Sequence, residues 1–213
     1  MVQETIAIIG AGGFGREVKK IIDDINLVEP IWDIVGYFDH TQKVGTEVNG
    51  LPILGDNEDA LNSKIIDNFV IAIGNPVTLS RLGKIFVTNR KKLPNISHPS
   101  AIIDLDTSSI GFGNIFCYGF FMTTNIKIGD FNIFNTRSTL GHDVAIGDYN
   151  VFSPNVQISG GVTVGDCNMF GMNSSVLQRK SIGSNNKIGS HSFVINNINS
   201  NTSVFGIPAV HLL

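Results

Sequence analysis

The residues with the most direct chemical use are a histidine and the aspartate that follows it, His142 and Asp143. An imidazole can accept a proton near neutral pH, and a neighbouring carboxylate can hold the ring in one tautomer. His142 lies two residues after the apolar Leu140, which places its side chain on the outside of the repeat described below. The pair predicts a general base and its supporting acid, with an ordinary surface histidine as the alternative.

A glycine-rich loop at residues 10–15, Gly-Ala-Gly-Gly-Phe-Gly, is the second feature of this kind. It follows an apolar segment and precedes residues with the apolar spacing of a helix. Its glycines let the backbone approach a diphosphate, whose charge the helix N-terminus stabilises. Asp39 ends the next apolar segment, where a carboxylate can hold a ribose hydroxyl or a base edge.

The length of this part of the chain argues against NAD, the usual ligand of such a loop. The predicted domain that contains the loop has only about ninety residues, fewer than the two mononucleotide halves of a full dinucleotide fold require. We therefore predict that the loop binds a nucleotide diphosphate. A tight turn without any ligand is the alternative.

Residue spacing disfavours metal and cysteine chemistry. Within the repeat only His142 and His191 are available as histidine ligands, and they lie too far apart to share one ion, so we expect no metal. Cys117 and Cys167 have no metal-binding or redox spacing. They are typical of reduced free thiols in a cytoplasmic protein.

The composition of the 213-residue chain excludes several partners. The formal net charge is −3 and no long basic run is present, so the chain lacks the electrostatic pattern of a nucleic-acid-binding protein. No apolar stretch approaches the length of a membrane span, and the first residues do not form a signal peptide. We expect a cytoplasmic protein with neither nucleic acid nor membrane as partner.

A six-residue repeat must position the histidine. From Ile110 to Val194 an apolar residue stands at every sixth position, fifteen times in succession: residues 110, 116, 122, 128, 134, 140, 146, 152, 158, 164, 170, 176, 182, 188 and 194. This period is typical of a parallel β-helix, whose triangular coils of eighteen residues contain three short strands. The repeat predicts about five coils, with the glycines that follow many apolar positions at sharp corners. The sequence Asn196–Asn201 is expected to break the repeat before a short tail that packs beside the last coil.

The first ninety or so residues alternate predicted strands and helices, which indicates a small α/β domain with a parallel sheet. Strands are expected at residues 5–10, 34–39 and 68–74, and helices after the glycine loop, from Asn57 and over residues 76–88. Leu51–Gly55 is expected to be a short connection. We predict a Rossmann-like domain at residues 1–93 and a β-helix domain with a short tail at residues 94–213.

The motifs together resemble the hexapeptide sugar acyltransferases of the PglD/NeuD family, which includes amino-sugar N-acetyltransferases and sialic acid O-acetyltransferases. The resemblance spans nearly the whole chain. Its motifs occur in family order: Ile-Ile-Gly-Ala-Gly-Gly-Phe-Gly-Arg-Glu-Val from residue 8, Gly-Tyr-Phe-Asp from 36, Ala-Ile-Gly-Asn from 72, His-Pro-Ser-Ala from 98, Asn-Thr from 135, His-Asp from 142 and Gly-Ile-Pro-Ala from 206. Each motif is weak alone, but their order around an unbroken repeat is specific.

The resemblance implies a left-handed β-helix, a homotrimer, and acetyl-CoA in the groove between neighbouring β-helices. His142 matches the general base, Asp143 the carboxylate beside it, and Asn135 a polar residue near the reacting centre. The nucleotide of a nucleotide-linked sugar would contact Gly12, Gly13, Phe14, Gly15, Asp39, His40 and Gly74. Positions that match acetyl-CoA contacts are Val151, Gly160, Gly161, Met172, Ser190 and Pro208.

Two positions depart from the family pattern. Gly141 replaces a residue that is often acidic, and Val151 replaces a second histidine that contacts the acetyl-CoA carbonyl. The expected activity is acetyl transfer from acetyl-CoA to the amine of a UDP- or dTDP-linked 4-amino sugar. O-acetylation of a sugar such as sialic acid and a non-catalytic trimer that binds nucleotide sugar are the alternatives.

Overall fold

The computed structural model describes residues 3–211 and begins with an α/β unit. Its elements are β1 (Glu4–Ile9), α1 (Gly13–Val28), β2 (Trp32–Phe38), β3 (Glu47–Val48), β4 (Leu51–Gly55), α2 (Asn57–Asn62), β5 (Asn68–Ile71) and α3 (Pro76–Thr88). The sheet order is β3-β4-β2-β1-β5, and all neighbours are parallel except β3 and β4. The predicted α/β class is therefore confirmed.

One element of this unit differs from the sequence-based expectation. Leu51–Gly55 is a strand and not a connection, because Ile53 pairs with Tyr37 on β2. Its buried side chains, Ile53 among them, alternate with more exposed ones, as in a strand with one face against the core. Pro52 is tolerated in this strand because β4 pairs on its other side with only the two residues of β3.

The rest of the chain is a parallel β-helix of two-residue strands. After β6 (Ile96–Ser97), fifteen strands follow at six-residue intervals, from β7 (Ser109–Ile110) through β8 (Ile115–Phe116), β9 (Phe121–Met122), β10 (Lys127–Ile128), β11 (Ile133–Phe134), β12 (Thr139–Leu140), β13 (Ala145–Ile146), β14 (Val151–Phe152), β15 (Gln157–Ile158), β16 (Thr163–Val164), β17 (Met169–Phe170), β18 (Ser175–Val176), β19 (Ser181–Ile182) and β20 (Lys187–Ile188) to β21 (Phe193–Val194). β22 (Ser203–Phe205) and β23 (Val210–His211) end the described chain.

Three sheets form the faces of the prism. The covered face contains β6, β8, β11, β14, β17, β20 and β22, with β23 at its edge. The second face contains β9, β12, β15, β18 and β21, and the third face contains β7, β10, β13, β16 and β19. From β7 to β21 each strand pairs with the strand one coil later, as in Ile110 with Ile128.

The β-helix extends past both ends of the regular repeat. Its terminal coils do not have eighteen residues, so the six-residue period does not include them. At the start, Ile96 pairs with Ile115. At the end, Ile182 pairs with Ile198, and Ile188 with Val204. The six-residue period breaks at Asn196–Asn201 as expected, but the β-helix does not end there: a shortened coil continues and buries Ile198 and Val204.

The corners of the prism are made differently from the expectation. The left-handed backbone conformation recurs three residues after each inward position, for example at Asn125 (φ 58°) and Asp143 (φ 59°). The glycines that directly follow inward positions have another role: a Cβ on Gly129 would lie 2.1 Å from Asp148 Oδ1 and 2.8 Å from the Gly147 carbonyl oxygen of the next coil. These glycines let adjacent coils stack closely.

Two internal ladders stabilise the stack of coils. Buried asparagines recur at residues 114, 132, 150, 168 and 186, and each amide oxygen accepts the backbone N–H of the polar residue one coil later. On the covered face, the inward rings of Phe134 and Phe152 stack with centroids 4.8 Å apart, and those of Phe152 and Phe170 at 4.7 Å. These ladders satisfy buried polar groups and fill the core at the same time.

The α/β unit packs on the covered face of the β-helix. Ile115, Ile133 and Val151 point outward from that face, yet all three are buried in one hydrophobic cluster with β1, α1 and α3. Phe131 and Tyr149 stack beside this face, and a Cβ on Gly83 of α3 would lie 2.8 Å from Tyr149 Cε1. The shared core fixes α1 and α3 against one face and leaves the opposite corner of the prism uncovered.

Candidate active site

His142 and Asp143 lie at that opposite corner, between the second and third faces. We call it the His142 corner; it comprises residues 123–126, 141–144, 159–162 and 177–180. His142 Nδ1 lies 2.8 Å from Asp143 Oδ2, and both side chains are exposed. Asp143 adopts the left-handed conformation that aspartate tolerates better than most residues, and this turn directs its carboxylate back to the preceding ring.

The contact with Asp143 fixes the chemistry of the other ring nitrogen. When Nδ1–H donates to the carboxylate, Nε2 carries the free lone pair. Nε2 faces Gly160 on the next coil, where a Cβ would lie only 2.6 Å away. Gly141 makes similar room, since its Cβ would lie 2.6 Å from the Gly160 nitrogen.

The backbone beside Nε2 offers one free donor. The Gly161 N–H donates to the carbonyl oxygen of His142 at 2.8 Å, so it is already used. The Gly160 N–H has no acceptor among residues 3–211. An unused N–H next to a proton-accepting nitrogen suits the oxygen of a reacting carbonyl.

The expected acetyl-CoA positions do not all lie together. Gly160 and Gly161 line or border the hollow that contains His142, together with Ser159, Gln178 and Arg179. Met172 and Ser190 stack one coil apart on the corner between the covered and second faces, and Pro208 lies exposed between β22 and β23. One chain therefore brings only the two glycines to His142.

Neither Val151 nor Asn135 lies beside His142 within one chain. Val151 lies in the core beneath the α/β unit with 5% of its surface exposed, so the expectation that it contacts acetyl-CoA is wrong. Asn135 lies at the corner between the covered and second faces, and its amide oxygen accepts the Thr136 N–H. It is not close to His142 within one chain, and its role near the reacting centre stays a prediction.

The glycine loop lies where the carboxyl ends of β1, β2 and β5 meet. Its glycines differ in function: a Cβ on Gly15 would lie 1.9 Å from the Gly10 carbonyl oxygen, which shows that α1 approaches β1 closely. Gly10 itself has φ +101° and a would-be Cβ 2.8 Å from Ile73. At Gly12 and Gly74 nothing lies within 4 Å of an added Cβ, and Gly13 has only the end of Arg16 at 4.0 Å. These positions, followed by Phe14 in the first turn of α1, leave the backbone open to a ligand.

Asp39 connects the two loops of this edge. Its Oδ2 accepts the Ala11 N–H at 2.8 Å, and its Oδ1 accepts the Thr41 N–H at 2.8 Å and hydroxyl at 2.6 Å. Partial burial raises the pKa of Asp39, but these hydrogen bonds outweigh burial and hold the pKa below its ordinary value. Asp39 orders the loop, a contribution that the sequence did not indicate.

Beyond Asp39, two adjoining hollows extend between α2 and α3. His40, Asn57, Arg81 and Leu82 line both of them. The first hollow reaches Gly10 and Asp39, and the second is bordered by Glu58, Leu61 and Ile85. Sequence analysis identified His40 but missed Glu58 and Arg81, because ordinary charged residues in helices carry no motif.

The other reactive groups do not form a site. Burial, with a smaller effect of Glu17, raises the pKa of Cys117 to about 12, so its thiol is a poor nucleophile. Among the described residues no three histidine, cysteine or acidic side chains are grouped as metal ligands would be. Over the same residues, every helix is too short or too polar to cross a membrane.

Comparisons with known proteins agree with this architecture. The family model described as the PglD N-terminal domain matches residues 5–84. The GDP-perosamine N-acetyltransferase of Escherichia coli O157:H7 is 28% identical over 135 residues, which cover 63% of this chain and 61% of that protein's length.

Solved structures match over the whole fold. The acetyltransferase domain of PglB from Neisseria gonorrhoeae FA1090, in complex with acetyl coenzyme A, is 26% identical with a TM-score of 0.90, covering 99% of this chain and 100% of that one. WeeI from Acinetobacter baumannii AYE is 26% identical with a TM-score of 0.87, covering 99% and 100%. PerB from Caulobacter crescentus, in complex with CoA and GDP-perosamine, shares the fold at 24% identity with a TM-score of 0.90, covering 100% and 99%.

The fold is therefore a Rossmann-like unit followed by a left-handed parallel β-helix, as the repeat and the family resemblance together implied. The N-terminal family model and the full-length structural neighbours therefore support the resemblance of this chain to the PglD/NeuD-like hexapeptide sugar acyltransferases.

Proposed function

We propose that this protein transfers the acetyl group of acetyl-CoA to an amine on a nucleotide-linked sugar, with His142 as general base. The observation that carries the proposal is the free His142 Nε2 beside the unused Gly160 N–H on an open corner. The relative from Escherichia coli is an N-acetyltransferase of a nucleotide amino sugar, and the PglB domain binds acetyl coenzyme A.

In the proposed reaction, the sugar amine attacks the thioester carbonyl and forms the new C–N bond. The developing oxyanion accepts the Gly160 N–H, and Nε2 of His142 takes the amine proton. The C–S bond then breaks, and the CoA thiolate leaves and takes up a proton. Asp143 keeps Nδ1 protonated and the ring oriented throughout.

We also propose that the active assembly is a homotrimer in the cytoplasm. The glycine loop belongs to the unit on the covered face, whereas His142 lies at the corner opposite that face. A neighbouring copy is needed to bring a nucleotide sugar from the loop to the base. Residues 1–93 would hold the nucleotide sugar, and residues 94–213 would hold acetyl-CoA and supply the base.

The first test measures thiol release from acetyl-CoA with a panel of nucleotide-linked amino sugars and free sialic acid. We expect release with an amino sugar, and a fall of about 10²–10⁴-fold in kcat for His142→Ala. His211→Ala, which removes an exposed histidine near the end of the chain, is the matched control. A loss below tenfold in His142→Ala would move the base elsewhere.

The alternatives give different results in the same assay. Release with sialic acid alone would select O-acetylation, in which a hydroxyl depends even more on the base. Nucleotide binding without acetyl-CoA binding or thiol release would identify a non-catalytic trimer.

A further inference from the structure

We infer that the nucleotide is a guanine nucleotide, whose base is recognised by Arg81 and Glu58 in the hollow between α2 and α3. The inference rests on the proposed function, since it names the carrier of the sugar that this site binds. It replaces the UDP- or dTDP-linked acceptor expected from sequence.

The position of the hollow suits a nucleobase. A diphosphate at Gly12 and Gly13 places the ribose near Asp39, at the end of the adjacent strand. The two hollows that begin at Gly10 and Asp39 continue past His40 to Arg81. Apolar side chains on one side, Leu61, Leu82 and Ile85, provide a surface for a flat ring.

Two charged side chains of the hollow have no partner among the residues that the structure describes. Among residues 3–211, the side chains of Glu58 and Arg81 make no hydrogen bond and no ion pair, although both line the same hollow. Asp56, by contrast, caps α2 by accepting the N–H groups of Glu58 and Asp59. Glu58 and Arg81 are therefore the charged groups of this hollow that are free to bind a base.

Their chemistry selects guanine. A guanidinium is a fork of donors and matches the paired acceptors O6 and N7 of guanine. A carboxylate only accepts, and it matches the paired donors N1–H and N2–H₂ on the other edge. Uracil and thymine present a single N–H between two carbonyls, so they cannot satisfy both side chains in this way.

The test is calorimetric titration of the full-length protein with GDP, UDP, dTDP, IDP and 7-deaza-GDP. IDP lacks the 2-amino group, and 7-deaza-GDP lacks the N7 acceptor. We expect GDP to bind at least about tenfold more tightly than UDP or dTDP, and each modified purine to bind about fivefold or more weakly than GDP.

Variants assign each contact. Arg81→Gln should remove the difference between GDP and 7-deaza-GDP, and Glu58→Gln the difference between GDP and IDP. Lys64→Gln removes an exposed charge outside the hollow and should leave the order of affinities unchanged. Both tested side chains lie on the surface, and circular dichroism verifies that the variants are folded.

The inference is overturned if UDP or dTDP binds as tightly as GDP, if no nucleotide binds, or if Arg81→Gln weakens GDP and UDP by the same factor. The last result would make Arg81 a phosphate contact. The titration needs neither acetyl-CoA nor His142, so it is independent of the proposed activity. Guanine preference without acetyl transfer would refute only the activity, and acetyl transfer to a UDP-linked sugar would refute only the base assignment.

Discussion

At the residue scale, the position of the His142 imidazole depends on the absence of a side chain at Gly160 on the next coil. The imidazole lies over Gly160, and a methyl group there would overlap Nε2. Gly160 therefore leaves room for the imidazole of His142, and its own N–H has no acceptor among the described residues. Gly141 leaves room in the same way, because an added Cβ there would lie close to the Gly160 nitrogen of the next coil. This close approach agrees with glycine at a position that is often acidic in the family.

Replacement of Gly160 by alanine should affect kcat more than the thermal stability of the protein. In Gly160→Ala, the Cβ at 2.6 Å from Nε2 must displace the ring, and we expect kcat to fall by about 10²-fold. Steady-state kinetics and thermal unfolding measure the two effects separately. Gly45→Ala, at an open loop position with φ +83°, controls for a change of glycine far from the base. An unchanged kcat would show that His142 does not act from this rotamer.

Asp39 leads to a prediction about pH. Its pKa is lower in the folded protein than the ordinary value of 3.8, so the ionised carboxylate stabilises the fold. That contribution is complete above the ordinary pKa and is lost as the pH falls through the lowered folded pKa. Urea unfolding between about pH 5 and pH 2 should therefore show a steeper loss of unfolding free energy for the wild type than for Asp39→Asn.

The control for this measurement is Asp33→Asn, an exposed acid on β2, the strand that precedes Asp39. It should retain the acid dependence of the wild type. If Asp39→Asn also retains it, the hydrogen bonds from Ala11 and Thr41 do not contribute to stability.

At the element scale, the asparagine ladder holds one corner of the coils in register. Asn150 is completely buried, and its amide oxygen accepts both the N–H and the Nδ2 group of Asn168. Its own Nδ2 donates to Asn132. Since the ladder lies inside the prism, the groups of a missing member's neighbours lose their protein partners in the core.

Asn150→Ala should therefore lower the free energy of unfolding by about 3 kcal/mol, because several buried groups lose their partners at once. Asn155→Gly, at an exposed corner residue with φ 60°, should change it by less than about 1 kcal/mol, since glycine adopts that conformation freely. Chemical denaturation measures both. Equal effects would mean that corner conformation, and not the ladder, determines the stability of the coils.

At the scale of the whole molecule, the α/β unit and His142 lie on opposite sides of one prism. A shared apolar core fixes the unit on the covered face, so movement within one chain does not bring the glycine loop to His142. Under the proposed function, the site is completed between copies, and we expect assembly to be a condition of activity.

Mixed assemblies test this arrangement. We expect the wild type to sediment at about three times 23.0 kDa. One chain carries His142→Ala, and a second chain carries both Arg81→Gln and Gly12→Val. Co-expression of the two chains should restore activity, because about a quarter of the sites in random trimers would combine an intact His142 with an intact glycine loop. Each chain alone should be inactive. No recovery in verified mixed trimers would show that one chain supplies the whole site.

The sequence by itself determined the repeat, the class of the N-terminal unit and the candidate base. Periodic apolar residues show directly which side chains point inward, and the glycine loop is local. Residues 96–97 and 196–204 escaped detection because coils of other lengths lose the period while they keep the pairing. The glycines that follow the inward positions were expected to make the sharp corners, but they allow close contact between coils instead. The two functions could not be distinguished from the sequence, because both favour glycine.

Only the tertiary structure determined which residues each outward-facing side chain contacts. Val151 stands at an outward position, and its burial follows from a domain folded some sixty residues earlier in the chain, not from its own neighbours. Glu58 and Arg81 were hidden for a related reason: they lie on different helices, α2 and α3, and line a common hollow only in the folded chain. A sequence records the period of local contacts, whereas the packing of distant elements determines which surfaces remain open for chemistry.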